Sequence, residues 1–253
     1  MENNTIFYHY YDAIFSEKNY RKETEFIFKK ASESLGRSPE KILEIGCGTG
    51  NHTMNLAGKN IPLTAIDIDS EMTSIAFNKI KNAGYDSVKI ITTPVEKLDE
   101  SGFDLAIAMF NVITYIPDTN NLISFFKAVY ERINAKAVFI FDCWNGLAAL
   151  KNPPKNKKTE VQKGNELVSC IVESETDFWK QKTKLVYQLQ VKNFSDLTVK
   201  NDTFSFYQTL WTPMQIEHCL NEAGFHVFSC NRLLDDKTTA NHEDWKIMYT
   251  CQK

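Results

Sequence analysis

The stretch KILEIGCGTGNH, residues 41–52, runs an apolar segment into glycines at alternate positions, Gly46, Gly48 and Gly50. A turn with so few side chains lets the backbone come very close to whatever it faces. It also does not stand alone. Apolar runs of strand length recur at 41–46, 62–67 (PLTAID), 88–91 (VKII), 103–110 (FDLAIAMF) and 137–142 (AVFIFD), and the segments between them have helical periodicity. That alternation predicts an α/β fold, a parallel sheet wound with helices. Helices are expected at about 51–59, 70–83 and 119–133, with Asp69 and Asp118 as N-caps.

From 165 to 211 the pattern changes to β-rich alternation, as in ELVSCIVES and KLVYQLQV, which predicts an antiparallel insertion lying over the sheet. TPMQIEHCLNEAGF then reads as a capped amphipathic helix with Pro213 at its first position and Gly224 at its end. FHVFSCNRLL and DWKIMYTCQK are expected to complete the sheet as a hairpin. With 253 residues and 43% hydrophobic content, one sizeable core is expected rather than two. The single domain divides into an N-terminal helical lid (1–36), a cofactor-binding core (37–150), a loop with the β-rich insertion (151–211) and a C-terminal helix with two strands (212–253).

Charge narrows the partner. A net charge of -3 and a pI near 6.0 lack the concentrated positive surface that nucleic acid requires, so a small-molecule partner is expected. No stretch approaches the ~20 apolar residues of a membrane span, and MENNTIFYHYYD does not read as a signal peptide, so a cytoplasmic protein is expected. The six cysteines form no C-x-x-C pair and have no histidine at ligand spacing, so reduced core thiols and no metal are expected. The strong preference for lysine over arginine and the many asparagines fit an AT-rich bacterial genome.

The glycine turn can then be tested against ligands. A phosphate-cradling loop needs G-x-x-x-x-G-K-[ST], which is absent, and a dinucleotide fingerprint needs a third glycine where Asn51 stands. Glu44 at the end of the first strand would repel a pyrophosphate but suits an ammonium group. Asp67 at the end of the second can accept hydrogen bonds from both ribose hydroxyls. Ammonium, ribose and no phosphate together describe S-adenosylmethionine.

LEIGCGTGNH followed by AIDIDSEM resembles motifs I and II of class I S-adenosylmethionine-dependent methyltransferases, a Rossmann-like fold. FDLAIAMFNVITYI resembles that family's fourth strand and following loop. The resemblance covers roughly 7–145 and resumes at the helix of 213–224 and the last two strands. It implies cofactor contacts from Glu44, Gly46, Gly48, Gly50, Asp67, Ile68, Met72, Val95, Met109 and Phe110. Met72 would sit against the adenine, and a carbonyl near Met109 or Phe110 would receive the amino group. One position departs from the pattern: Pro94 in TTPVEKL stands about where relatives carry an acid for the adenine amino group. That contact falls instead to the Val95 backbone or to Thr93 or Glu96.

More narrowly, YYDAIF (10–15), MFNVITYI (109–116) and FDCWN (141–145) before a β-rich insertion resemble the N,N-dimethyltransferases of nucleotide-linked amino sugars. That resemblance implies Tyr11 and Tyr115 as catalytic residues, and Tyr11, Asn111, Tyr115, Trp144 and Trp211 as acceptor contacts. A neutral amine needs only a weak base, whereas a sugar hydroxyl needs deprotonation by histidine or carboxylate. Of five histidines, His9 or His218 could serve, and this thin supply favours an amino acceptor. O-methylation of a sugar or of a phosphate-derived capsule building block such as a phosphoramidate, N-methylation of an amino acid, and a non-catalytic cofactor-binding module are the alternatives. KNPPKNKKTE (151–160) reads as a solvated loop, or as a lid whose lysines meet the phosphates of the acceptor.

Overall fold

The computed structural model describes residues 5–253. In chain order, α1 (Thr5–Ile14) and α2 (Tyr20–Leu35) precede β1 (Ile42–Ile45). Then come α3 (Asn51–Ala57), β2 (Leu63–Asp67), α4 (Ser70–Asn82), β3 (Lys89–Thr92), β4 (Phe103–Ala108), α5 (Thr119–Arg132) and β5 (Ile133–Trp144). After α6 (Gly146–Lys151) come β6 (Lys157–Lys163), β7 (Glu166–Asp177), β8 (Lys182–Asn193) and β9 (Val199–Thr209). The chain closes with α7 (Pro213–Glu222), β10 (His226–Arg232) and β11 (Lys246–Gln252). Asp69 and Asp118 cap α4 and α5 through their carboxylates, and Thr212 with Gln215 forms a capping box before Pro213.

A seven-stranded sheet has the order β10-β11-β5-β4-β1-β2-β3, parallel except that β11 is antiparallel to both neighbours. Alternate residues of the central strands enter opposite cores. Leu43, Ala106 and Phe139 pack with α5 and α7, while Ile42, Leu105 and Val138 pack with α2, which is why these strands read as unbroken apolar runs. The strand order reverses between β1 and β4, so a crevice opens outside their carboxyl ends.

The insertion is a separate antiparallel sheet, β6-β7-β8-β9, beginning at Lys157 rather than at 165. The expected loop of 151–160 is therefore corrected. Lys151 ends α6, only 152–156 lack regular structure, and Lys157–Glu160 belong to an edge strand whose lysine and glutamate side chains are mostly exposed. The inner face of this sheet, with Val168, Tyr187 and Phe204, packs against Phe7, Tyr10 and Ile14 of α1. Strand β5 also starts earlier than expected, because α5 passes into it at Ile133 without a loop. All six cysteines are free, five of them buried. Among the described residues no helix is long and apolar enough to cross a membrane.

Gly146 joins the two sheets. Its N–H donates to the Trp211 carbonyl at 2.9 Å, and a Cβ there would lie 2.4 Å from the Leu210 oxygen and 2.6 Å from that of Trp211. Backbone cannot yield as a side chain can, so Gly146→Ala is expected to destabilise the fold by roughly 3 kcal/mol. A thermal midpoint unchanged from wild type would refute the close approach.

Candidate active site

The glycine loop leaves β1 with Gly46, Gly48 and Gly50 at φ of 72°, 54° and 82°, the left-handed region that side chains disfavour. The N–H groups of Gly46 and Cys47 both donate to the Ile66 carbonyl, and that of Gly48 donates to Asp67 Oδ2 at 2.8 Å. A Cβ on Gly48 would meet nothing within 4 Å, so its exposed backbone faces open space. Asp67 Oδ1 accepts the Asp69 N–H at 3.0 Å. Burial raises the Asp67 pKa, and these two N–H groups oppose that shift.

Across the crevice, Phe110 and Asn111 follow β4 with φ of 71° and 63°. Two successive non-glycine residues in that region are costly unless the surroundings hold them there. The buried Asp142 carboxylate does so, accepting the N–H groups of both Phe110 and Asn111. The acid in FDCWN thus shapes the loop on the neighbouring strand. Its position at a buried strand end was the available signal.

Both loops open onto a cavity of about 1190 Å³. Of the expected cofactor residues, Gly46, Gly48, Asp67, Ile68, Met72, Val95, Met109 and Phe110 line it. So do Thr93, Pro94 and Glu96 from the doubtful adenine stretch, and Tyr11, Asn111, Tyr115 and Trp144 from the expected acceptor residues.

Three expected residues do not line the cavity. Glu44 is buried and accepts a hydrogen bond from the Thr53 hydroxyl at 2.7 Å, because its position on β1 turns it toward α3. Gly50 caps α3, where an added Cβ would lie 3.0 Å from the Ala76 Cβ. Trp211 is buried in the core with Nε1 donating to the Ile113 carbonyl at 3.1 Å, so it supports the loop carrying Tyr115 from behind.

None of the five histidines lines the cavity. His52 Nε2 instead pairs with Glu23 Oε2 at 2.8 Å, and Lys18 bonds the other oxygen of that carboxylate. Burial opposes it, but His52 and Lys18 together hold Glu23 below the usual carboxylate range. Lys18 itself lines the cavity and lies 4.5 Å from the Phe110 ring centroid.

Helix α1 is fastened to the glycine loop by contacts that the apolar reading of its sequence did not show. Asp12 accepts hydrogen bonds from Thr49 (2.6 Å), Asn51 (2.8 Å) and Lys79 (2.7 Å), and the Tyr8 hydroxyl donates to Asp69 at 2.6 Å. This anchorage sets Tyr11 in the cavity wall, edge-on to Phe7 and against Phe15.

Burial pushes the Glu44 carboxyl up to about 7. A carboxyl whose pKa is raised by folding, from about 4.3 in the unfolded chain, contributes stability that is complete below that value and lost as pH rises through 7. Glu44→Gln keeps an acceptor for Thr53 and removes the buried charge. The variant is expected to exceed the wild-type midpoint at pH 8, with the gain nearly gone at pH 4. Thermal unfolding at the two pH values checks this, and an equal loss at both would contradict it.

A glycine loop closed on an acid at the second strand end, facing a strained loop across a switch point, is the arrangement against which known proteins can be compared. A family model described as a methyltransferase domain matches residues 42–134. This segment is therefore similar to methyltransferase domains. The Bacillus subtilis (strain 168) protein YqeM, a methyltransferase by name, is 29% identical over 136 residues, 52% of this chain and 51% of its own. The chain thus spans about half the length of the curated relatives it matches.

Solved structures extend the likeness of fold beyond the matched segment. An S-adenosylmethionine-dependent methyltransferase from Clostridium acetobutylicum ATCC 824 superposes with a TM-score of 0.82 at 22% identity, covering 98% of both chains. The sugar N-methyltransferase KedS8 from Streptoalloteichus sp. ATCC 53650 gives 0.79 at 15% identity, covering 96% of this chain and 92% of its own. The fold, including the second sheet, is that of class I methyltransferases.

Proposed function

We propose that the protein is an S-adenosylmethionine-dependent methyltransferase that acts on the amino group of a nucleotide-linked sugar. The observation that carries this reading is that one cavity is lined both by the glycine loop with Asp67 and by an aromatic chamber. Tyr11, Tyr115, Trp144 and Tyr187 wall that chamber. At about 1190 Å³ the cavity exceeds the ~300–1,000 Å³ typical of a single ligand, which leaves room for a second molecule beside the cofactor.

The residues present fit the cofactor. Gly48 leaves open space where a side chain would stand, Asp67 keeps lone pairs for a ribose, and Met72 lines the cavity where it would meet the adenine. Backbone carbonyls at Met109 and Phe110 would take the ammonium. Lys18, partly buried and close to Phe110, would take the methionine carboxylate. When bound, the cofactor supplies an activated methyl group on a sulfonium. The chain's part is to orient the acceptor and exclude water, which α1 does by lying across the cavity.

An amine suits this chamber because no histidine lines it, the lining acids Asp67, Asp69 and Glu23 are already held by hydrogen bonds, and an amine that arrives neutral needs no strong base. Lys157 and Lys246 line the same cavity from β6 and β11, and among the described residues Lys157 pairs only loosely, with Glu17 at 4.0 Å, so cationic groups are available to phosphates. Of the lysines in 151–160, only Lys157 serves the lid reading in this way. KedS8, whose fold this chain shares, is a sugar N-methyltransferase.

Calorimetry with S-adenosylhomocysteine, then labelled-methyl transfer to UDP-amino sugars, UDP-sugars, free amino sugars and glycine, tests the proposal. Micromolar binding with transfer to the UDP-amino sugars is expected. Transfer to hydroxyls alone, or binding without product on any acceptor, would overturn it.

A further inference from the structure

Two amide side chains in the cavity wall hold oxygens without partners. Asn111 and Gln208 are 5% and 4% exposed, both line the cavity, and the side-chain oxygen of each is buried with no hydrogen-bond donor among the described residues. They come from separate elements. Asn111 precedes the 3-10 turn Val112–Tyr115 that Tyr115 ends, and Gln208 on β9 faces the Tyr115 hydroxyl. The next residue on β9, Thr209, ties that strand to the turn by donating to the Ile116 carbonyl at 2.8 Å.

A buried acceptor left without a donor costs about 1–3 kcal/mol. Leucine would fill either space without that cost. Asn111 carries a second cost in its left-handed backbone, which Asp142 enforces. Two unfilled acceptors and a strained residue beside one tyrosine suggest a receptor for hydrogen-bond donors.

We propose that the side-chain oxygens of Asn111 and Gln208, covered in this structure, turn toward the cavity to accept the two N–H bonds of the acceptor's neutral amino group and thereby select an amine over a hydroxyl. This rests on the methyl-transfer reading above. A primary amine has two N–H donors and one lone pair. With both donors held, the lone pair is left to form the new N–CH₃ bond as the S–CH₃ bond breaks, and one proton then leaves the nitrogen for solvent. A hydroxyl offers a single donor and leaves one amide oxygen unpaired, a penalty that a pocket built for hydrogen bonds imposes strongly. Neutral amide oxygens also stabilise an ammonium less than a carboxylate would, so the reactive free base is not penalised on binding.

The test is calorimetry on the S-adenosylhomocysteine-loaded protein with UDP-glucosamine and UDP-glucose as probes, above and below the pKa of the amine. The wild type is expected to bind UDP-glucosamine at least fivefold more tightly than UDP-glucose above that pKa, and to lose the preference below it. Gln208→Leu is expected to bring the two probes within about twofold while S-adenosylhomocysteine affinity stays within twofold. Gln208→Glu, which keeps a polar group should leucine disturb folding, is expected to reverse the pH trend by holding the ammonium. A merely structural glutamine would not move that trend. A wild type that binds both probes alike, or a preference that survives in both variants, overturns the inference and leaves the cofactor reading intact. Failure of the wild type to bind S-adenosylhomocysteine removes that reading and this one with it.

Discussion

Asp67→Ala is expected to weaken S-adenosylmethionine binding by at least tenfold. Two charge-assisted hydrogen bonds to a ribose are worth ~1.5–3 kcal/mol each, and about 1.4 kcal/mol is a factor of ten. The loss extends beyond the ribose, because the same carboxylate holds the N–H groups of Gly48 and Asp69 and so ties the glycine loop to the end of β2. Alanine leaves both without that partner. Asp67→Asn separates the two effects, since its one amide oxygen can keep one of these bonds without the charge, and it should fall between wild type and alanine. Calorimetry on the three proteins, with thermal midpoints to confirm folding, makes the comparison. Unchanged affinity in Asp67→Ala would remove the ribose assignment.

The parts of the site legible in the sequence were those fixed by short-range backbone need. Gly46 and Gly48 announce a turn, and Asp67 stands at the end of a run whose length fixes where the strand stops. Glu44 shows the limit of such reading. Strand position placed it at the right end of β1, but its direction depends on which face α3 covers, and Thr53 takes it away from the cavity. Trp211 was misplaced for a related reason: an indole beside an expected chamber can equally support its wall from behind.

Asp12 and Asp142 act on partners more than 30 residues away, as Lys18 does on Phe110, and no local pattern encodes such meetings. The insertion's strands were legible from alternation, but its first strand was hidden by lysines. Edge position tolerates them there, and composition alone reads them as loop.

Tyr11→Phe separates a working tyrosine from a packing one. The ring packs with Phe7 and Phe15, and among the described residues no side chain hydrogen-bonds its hydroxyl. Burial holds the Tyr11 pKa well above its ordinary value, with the tyrosines at 115, 20 and 187 adding to the shift, so the group is a neutral hydroxyl at physiological pH and not a tyrosinate base. Its available roles are to donate a hydrogen bond to the acceptor or to relay a proton. Phenylalanine keeps the packing and removes only these. Cofactor affinity is therefore expected to stay within about twofold, while kcat/KM for the acceptor falls by roughly 10 to 1,000-fold, the range for one positioning hydrogen bond or relay. A tyrosine that only packs would instead lower the thermal midpoint and leave turnover per folded molecule unchanged. Measuring midpoint, cofactor affinity and acceptor kinetics on one preparation distinguishes the two, and unaltered kinetics would transfer the role to Tyr115, whose hydroxyl Gln208 faces.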